Sequence, residues 1–254
     1  PIVGMHDWVV SFDLNSLYPH LIMQYNMSPE TIINKEVRGV TVGRLLEGDE
    51  FKIEKELCMT AKGIFFSKTK KGIIPELIEN LYKERVEAKK LMQEAADEIE
   101  HLGEDPTYAN TQIAIANAMD NQNGFGQGGD TPNQNQMVMQ DKIKQLELLK
   151  KARSDKLKRL ESVVATQGNI QLAIKILMNS LYGAMSNEFF RYYDIRIAES
   201  ITMSGQHTIR SAEKTVNEDM NKKLKTINKD YVVAIDTDSL YINCGPIVEK
   251  ALGS

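Results

Sequence analysis

The sequence predicts an α+β protein: a small unit of strands and helices interrupted by a long antiparallel helical hairpin. Three observations carry this. Near the start, Trp8-Val9-Val10-Ser11-Phe12-Asp13 is an apolar, β-branched run closing on a carboxylate, the pattern of a buried strand. Near the end, Tyr231-Val232-Val233-Ala234-Ile235-Asp236-Thr237-Asp238-Ser239-Leu240-Tyr241-Ile242 reads as apolar strand, polar turn, apolar strand, a hairpin with two carboxylates at its bend. Between these runs, two charged stretches carry apolar residues at helical spacing on either side of a Gly/Asn/Gln-rich segment.

Taken in order, residues 40–71 are mixed, and Gly63-Ile64-Phe65-Phe66-Ser67 before the turn-like Lys68-Thr69-Lys70-Lys71-Gly72 reads as small strands. At Pro75 the character changes. A proline near a helix start, then Glu76-Leu77-Ile78-Glu79 and apolar Leu77, Leu81, Ala88, Leu91 and Ala95, predict a helix of about 28 residues, ~40 Å long. A matching pattern covers 137–164. The intervening Asn121-Gln122-Asn123-Gly124-Phe125-Gly126-Gln127-Gly128-Gly129-Asp130 has nothing with which to build a core, so the expectation is a protruding hairpin with a loose tip. Lys142, Lys144, Lys150, Lys151, Arg153, Lys156, Lys158 and Arg159 are interleaved with Asp141, Glu147, Asp155 and Glu161, the pattern of a solvated face. Further helices are predicted from Gln171 and over 198–223.

With 254 residues, 42% hydrophobic and 26% charged, the chain can bury a sizeable core. No apolar run approaches the roughly 20 residues of a membrane span, and no targeting pattern opens the chain, so a cytoplasmic protein without a membrane partner is expected. Cys58 and Cys244 form no CxxC, and His6, His20, His101 and His207 are scattered; a disulfide framework or Cys/His zinc site is not indicated. The 31 Lys+Arg against 35 Asp+Glu give a formal charge of −4, which taken alone argues against a surface coated for nucleic acid.

Three acidic residues stand at strand ends: Asp13, Asp236 and Asp238. Residues two apart on an extended chain point the same way, so Asp236 and Asp238 can address one site. Crowded carboxylates repel, and a hard divalent cation, Mg²⁺ best of all, relieves that repulsion. Asp-Thr-Asp-Ser is also simply a good turn sequence. The apolar runs on both sides favour the metal, because burial at a sheet rim without one is costly. Lys175, Asn179 and Tyr182 lie at ~0°, 40° and −20° around a helical wheel, one polar stripe on a helix otherwise made of Leu172, Ile174, Ile176, Leu177, Met178 and Leu181. Arg85 and Lys89 are four apart on the first long helix and, in isolation, read as an exposed charged pair. Two cationic stripes facing a carboxylate–metal cluster would suit a polyphosphate. Ser16-Leu17-Tyr18-Pro19 reads either as a strand-to-helix turn offering N–H groups to phosphate, or as a tight turn with a core tyrosine. There is no GxxxxGK[ST] phosphate loop and no GxSxG elbow.

Asp13-Leu14-Asn15-Ser16-Leu17-Tyr18-Pro19, Lys175-Ile176-Leu177-Met178-Asn179-Ser180-Leu181-Tyr182-Gly183 and Asp236-Thr237-Asp238-Ser239 resemble motifs A, B and C of family B DNA polymerases, in that order. Thr60 to Phe66, Gly72-Ile73-Ile74-Pro75 and Arg85 resemble the lead into the family's fingers. Met27-Ser28-Pro29-Glu30-Thr31-Ile32 and Phe190-Arg191-Tyr192-Tyr193-Asp194 are most similar to the T-even-type bacteriophage branch. The resemblance implies a right-hand polymerase palm, an antiparallel sheet with helices, carrying a helical-hairpin fingers subdomain. Palm would take 1–75 and 183–254, and fingers 76–182 with a tip at about 105–137 and the motif B helix at its end. No thumb or exonuclease domain is expected within the chain, which reads as an excised or partial one.

By the same resemblance, Asp13 and Asp238 bind two catalytic Mg²⁺ ions, with Mn²⁺ as a substitute, assisted by the Leu14 carbonyl; Asp236 tunes that geometry. The dNTP triphosphate lies on Ser16, Leu17 and Tyr18 and against Arg85, Lys89, Lys175 and Asn179. Tyr18 obstructs a 2′-OH, Lys175 serves the leaving pyrophosphate, and Tyr182 and Gly183 border the nascent base pair. Partners would be primer–template DNA, dNTP, separate polypeptides carrying exonuclease and thumb, and a sliding clamp. Ala234-Ile235 depart from the family's common Tyr-Gly, and His20 from a common serine. The expectation is template-directed nucleotidyl transfer; the alternative is a non-catalytic palm–fingers fragment that binds Mg–dNTP but cannot hold primer–template. The −4 charge fits either, since the metal site itself needs acids.

Overall fold

The computed structural model describes residues 2–104, 110 and 134–253. Its elements are β1 Val9–Asp13, α1 Leu17–Tyr25, β2 Ile32–Glu36, α2 Val42–Leu46, β3 Leu57–Met59, β4 Ile64–Ser67, α3 Ile73–Glu104, α4 Gln134–Met185, α5 Ile195–Leu224, β5 Val232–Asp236, β6 Ser239–Asn243 and α6 Gly245–Leu252. Two compact units divide them: residues 1–82 with 175–254, and residues 83–174. The expected tip falls mostly on residues outside those described.

The first unit holds two three-stranded antiparallel sheets, ordered β1-β6-β5 and β2-β4-β3. In the first sheet β1 pairs with β6 so that Asp13 faces Ser239, Phe12 faces Leu240 and Val10 faces Ile242. Helix α5 covers β5 and β6, where Ile209 joins Val232, Leu240 and Ile242 in one core with Leu14, Val216 and Ile235 at its margin. This corrects the expectation for the first strand. Its β conformation is present, but Val9, Val10 and Phe12 are 43%, 40% and 58% exposed. The cause is position: the core of this sheet forms over β5 and β6, and β1 lies beyond it. Between Val232 and Ala234 the β5–β6 register slips, a bulge at the point where Ala234-Ile235 leads into the turn.

Helix α5 ties the unit together through small residues. Buried Ser200 accepts a hydrogen bond from Thr60 Oγ1 at 3.0 Å, and the Ser204 hydroxyl accepts from the Ala61 N–H at 3.2 Å, which fastens the β3–β4 turn to the helix. The same helix packs on α1. The start of α3 is capped from a distance: Asn26 Oδ1 accepts from the Gly72 N–H at 2.8 Å, Glu30 Oε1 from Ile73 at 2.5 Å and Ser28 Oγ from Ile74 at 3.4 Å. Three N–H groups that a helix start leaves without partners are thereby satisfied. The Met27-Ser28-Pro29-Glu30-Thr31 signature thus has a structural task.

In the second unit, parts of α3 and α4 run antiparallel. Glu98 pairs with Lys156 at 2.6 Å, and a Cβ built on Gly168 would lie 3.6 Å from Met92 Sδ, so residue numbers rise on one helix as they fall on the other. The stretch expected as separate helices over 137–164 and from Gln171 is one helix of 52 residues. Gly168 weakens a helix interior by only about 1 kcal/mol, which the rest of α4 absorbs.

Candidate active site

A cavity of about 440 Å³ in the first unit is lined by Asp13, Asn15, Ser16, Leu17, Tyr18, Pro19, Lys175, Asn179, Tyr182, Thr237 and Asp238. Each wall follows from a local rule. Asp13 ends β1, and the β1–β6 register sets it opposite Ser239, whose hydroxyl donates to Asp13 Oδ1 at 3.3 Å. One residue on, the Leu14 N–H donates to the Asp238 carbonyl at 2.8 Å, so the end of β1 is bound to the β5–β6 turn. Asp13 is exposed and Asp238 half-buried.

Two wall residues hold backbone angles that L-residues rarely adopt: Ser16 at φ 57° before α1, and Thr237 at φ 47° in the turn. For β-branched Thr237 such an angle is a real outlier. Strain of this kind costs of order 1–3 kcal/mol and clusters at functional sites. The tight turn also explains why Asp236 and Asp238 are not equivalent. They do not share an extended segment as the sequence suggested; Asp236 pairs across to Ser239, its carboxylate accepts from Thr237 Oγ1 at 3.2 Å, and it does not line the cavity.

The opposite wall is the C-terminal part of α4, where the stripe of Lys175, Asn179 and Tyr182 is brought together as its spacing required, Lys175 and Asn179 exposed. Ile174 and Met178 are buried, whereas Leu172, Ile176 and Leu177 are 49%, 58% and 54% exposed, so this helix is less enclosed than its apolar sequence implied. The Tyr18 and Tyr182 rings meet with centroids 4.9 Å apart at 49°. Burial first, then the neighbouring Tyr182 and Asp238, push the Tyr18 phenol above its ordinary value, so it stays a neutral hydroxyl. His20, one turn along α1, holds the Ser16 carbonyl through Nδ1 at 2.9 Å and meets the Tyr82 ring edge-on at 4.8 Å.

Gly183 is exposed, and neither it nor Leu14 lines the cavity; Leu14 enters only through its N–H bond to Asp238. Arg85 and Lys89 belong to the second unit. They differ sharply: Lys89 is exposed, while Arg85 is 6% exposed with its Nε buried and without a hydrogen-bond partner. The expected exposed pair is therefore corrected at Arg85, whose desolvated guanidinium N–H is left short of an acceptor. Asn15, Pro19 and Thr237 line the cavity without having been singled out; each lies inside a motif already noticed, and that adjacency was the available signal.

The donor set fits a hard divalent cation. Asp13 and Asp238 are oxygen donors on hydrogen-bonded backbone, and none of the three aspartates is ion-paired to a described lysine or arginine. Among the described residues no cluster of three or more His, Cys, Asp or Glu could enclose an ion. A divalent cation held by two carboxylates would keep water or substrate phosphate for its remaining positions.

DNA polymerase family B matches residues 1–128 and 135–251, and the chain belongs to that family. It is similar to the DNA-directed DNA polymerase of Escherichia phage RB69, 30% identical over 98% of this chain and 26% of the relative. It is likewise similar to that of Enterobacteria phage T4, 32% identical over 96% of this chain and 26% of the relative. The chain spans about a quarter of the length of these curated relatives. The resemblance to the phage branch of the family is borne out by these matches. A family B DNA polymerase structure from the archaeon Pyrobaculum calidifontis aligns over 96% of this chain and 22% of that one, at 20% identity and TM-score 0.43, too loosely to carry an argument.

Proposed function

We propose that this chain is the palm and fingers region of a DNA-directed DNA polymerase, transferring a nucleotidyl group from dNTP to a primer 3′-OH on a DNA template. The observation that carries this reading is the cavity itself: Asp13 and Asp238 on one wall, Lys175 and Asn179 on another, with the Ser16-Leu17-Tyr18 turn between. Two Mg²⁺ ions held by Asp13, Asp238 and the Leu14 carbonyl would supply charge neutralisation at the attacking and leaving oxygens. Ser16, Leu17 and Tyr18 offer backbone N–H groups to the triphosphate. As the 3′-hydroxyl oxygen forms its bond to the α-phosphorus it gives its proton to solvent water, the α–β bridging P–O bond breaks, and Lys175 Nζ gives a proton to the bridging oxygen of the departing pyrophosphate and regains one from solvent.

Tyr18 would lie under the sugar and exclude a 2′-OH, while Tyr182 and Gly183 border the nascent base pair. By the family pattern alone, Arg85 and Lys89 would also serve as phosphate ligands. Asp236 is proposed to tune the turn that carries Asp238. Template pairing, not base-edge contacts, selects the nucleotide. Primer extension by one nucleotide with Mg²⁺ and dNTP tests the proposal, with Asp238→Asn as control. Extension by the parent chain alone supports it; equal incorporation by both overturns it. Mg–dNTP binding without extension at low salt supports the alternative, a fragment that binds nucleotide but does not hold DNA.

A further inference from the structure

We infer that Gly205 on α5 is a positioning residue for Tyr18, setting how far the tyrosine ring reaches into the cavity and hence how strictly the site separates deoxyribose from ribose. This rests on the reading of Tyr18 given above. Gly205 is buried within a regular helix, and its backbone angles need no glycine. Alanine is the better residue in a helix interior unless the space is taken. Here it is taken. A Cβ at Gly205 would stand 3.0 Å from Tyr18 Cε1 and 3.7 Å from both Leu17 Cδ2 and Leu21 Cδ1.

The direction in which the ring can yield is restricted. Leu17 and Leu21, 7% and 3% exposed, crowd the same Cβ position, and Tyr182 meets the Tyr18 ring at 4.9 Å. The remaining freedom is toward the cavity that Tyr18 lines. A methyl group at 205 therefore drives the ring inward, and a displacement of a fraction of an ångström in a positioning wall is expensive for an oriented reaction. The bare backbone of α5 at this point is what lets the ring sit back.

A double-mutant cycle in the intact chain tests this: parent, Gly205→Ala, Tyr18→Ala and both, each measured for melting temperature and for the ratio of kcat/KM with dNTP to that with rNTP. With Tyr18 present, Gly205→Ala is expected to lower the melting temperature, to slow dNTP incorporation, and to raise the dNTP:rNTP ratio about three- to tenfold. With Tyr18→Ala beneath it, the same change should raise the melting temperature, as alanine ordinarily does in a helix, and leave the ratio unmoved. Folding of the double variant where Gly205→Ala alone fails to fold is the same result in stronger form. Equal effects in both backgrounds, or failure of both to fold, overturn the inference. If Tyr18→Ala alone leaves the ratio unchanged, the sugar-selecting role of Tyr18 falls, and the melting cycle still decides whether Gly205 positions the ring.

Discussion

At the scale of residues, Asp13 and Asp238 sit on backbone joined by the Leu14–Asp238 hydrogen bond of 2.8 Å, so their carboxylates are offered to the cavity with little freedom of approach. Under the proposed function, neutralising either one by Asp13→Asn or Asp238→Asn should lower single-nucleotide incorporation by about 10²–10³-fold or more while leaving the melting temperature within a few degrees. A single-turnover assay checks this, and a variant of normal rate would count against the site. Gly63 makes the opposite kind of prediction, about stability alone. It turns the chain between β3 and β4 at φ +85°, and a Cβ there would fall 2.4 Å from the Val37 carbonyl oxygen. Gly63→Ala should therefore cost about 1–3 kcal/mol in denaturant unfolding.

At the scale of elements, the starts of helices α5 and α3 are capped by different means. Helix α5 is capped locally: Asp194 accepts from the Arg196 N–H at 2.9 Å and takes the Arg196 side chain at 3.0 and 2.7 Å. The Arg196 hydrogen bond holds the Asp194 carboxyl below its ordinary value, against a smaller opposing effect of burial. A depressed value means that this stability is complete above the ordinary aspartate range, about pH 4, and is lost as pH falls through the depressed value. Asp194→Ala should cost about 1 kcal/mol at neutral pH. Asp194→Asn, which keeps a capping oxygen, should flatten this part of the acid dependence in melts taken between neutral and acid pH. Helix α3 is capped from 43 residues away in sequence by Glu30, whose other oxygen accepts from Ser28 Oγ at 2.6 Å. Glu30→Ala should destabilise by about 1–2 kcal/mol, measured by urea unfolding.

At the scale of the whole molecule, a formal charge of −4 means that any affinity for DNA comes from local cationic groups and not from a general basic surface. Binding of a fluorescent primer–template, followed by anisotropy, is expected to be weak and to fall steeply between about 50 and 200 mM salt. Affinity indifferent to salt would contradict phosphate contact as its source. No helix among the described residues is long and apolar enough to cross a membrane.

Much of this was legible in the chain itself. The continuous apolar, β-branched runs named β1, β5 and β6, the helical period named α3 and most of α4, and the stripe of Lys175, Asn179 and Tyr182 followed from 100° per residue. These are local properties, decided by side-chain direction within one element. What tertiary structure decided depends on which elements meet. The β1–β6 register puts Asp13 beside the Asp238 turn, and the tight β5–β6 turn leaves Asp236 outside the cavity. The core forms over β5 and β6, so an apolar strand that its composition alone would bury stands exposed in β1. Burial of Arg85 and the missing Cβ of Gly205 behind Tyr18 likewise have no local signature, because each depends on the distance to residues remote in sequence. Periodicity tells a residue which way it faces on its own helix or strand; only packing tells it what it faces.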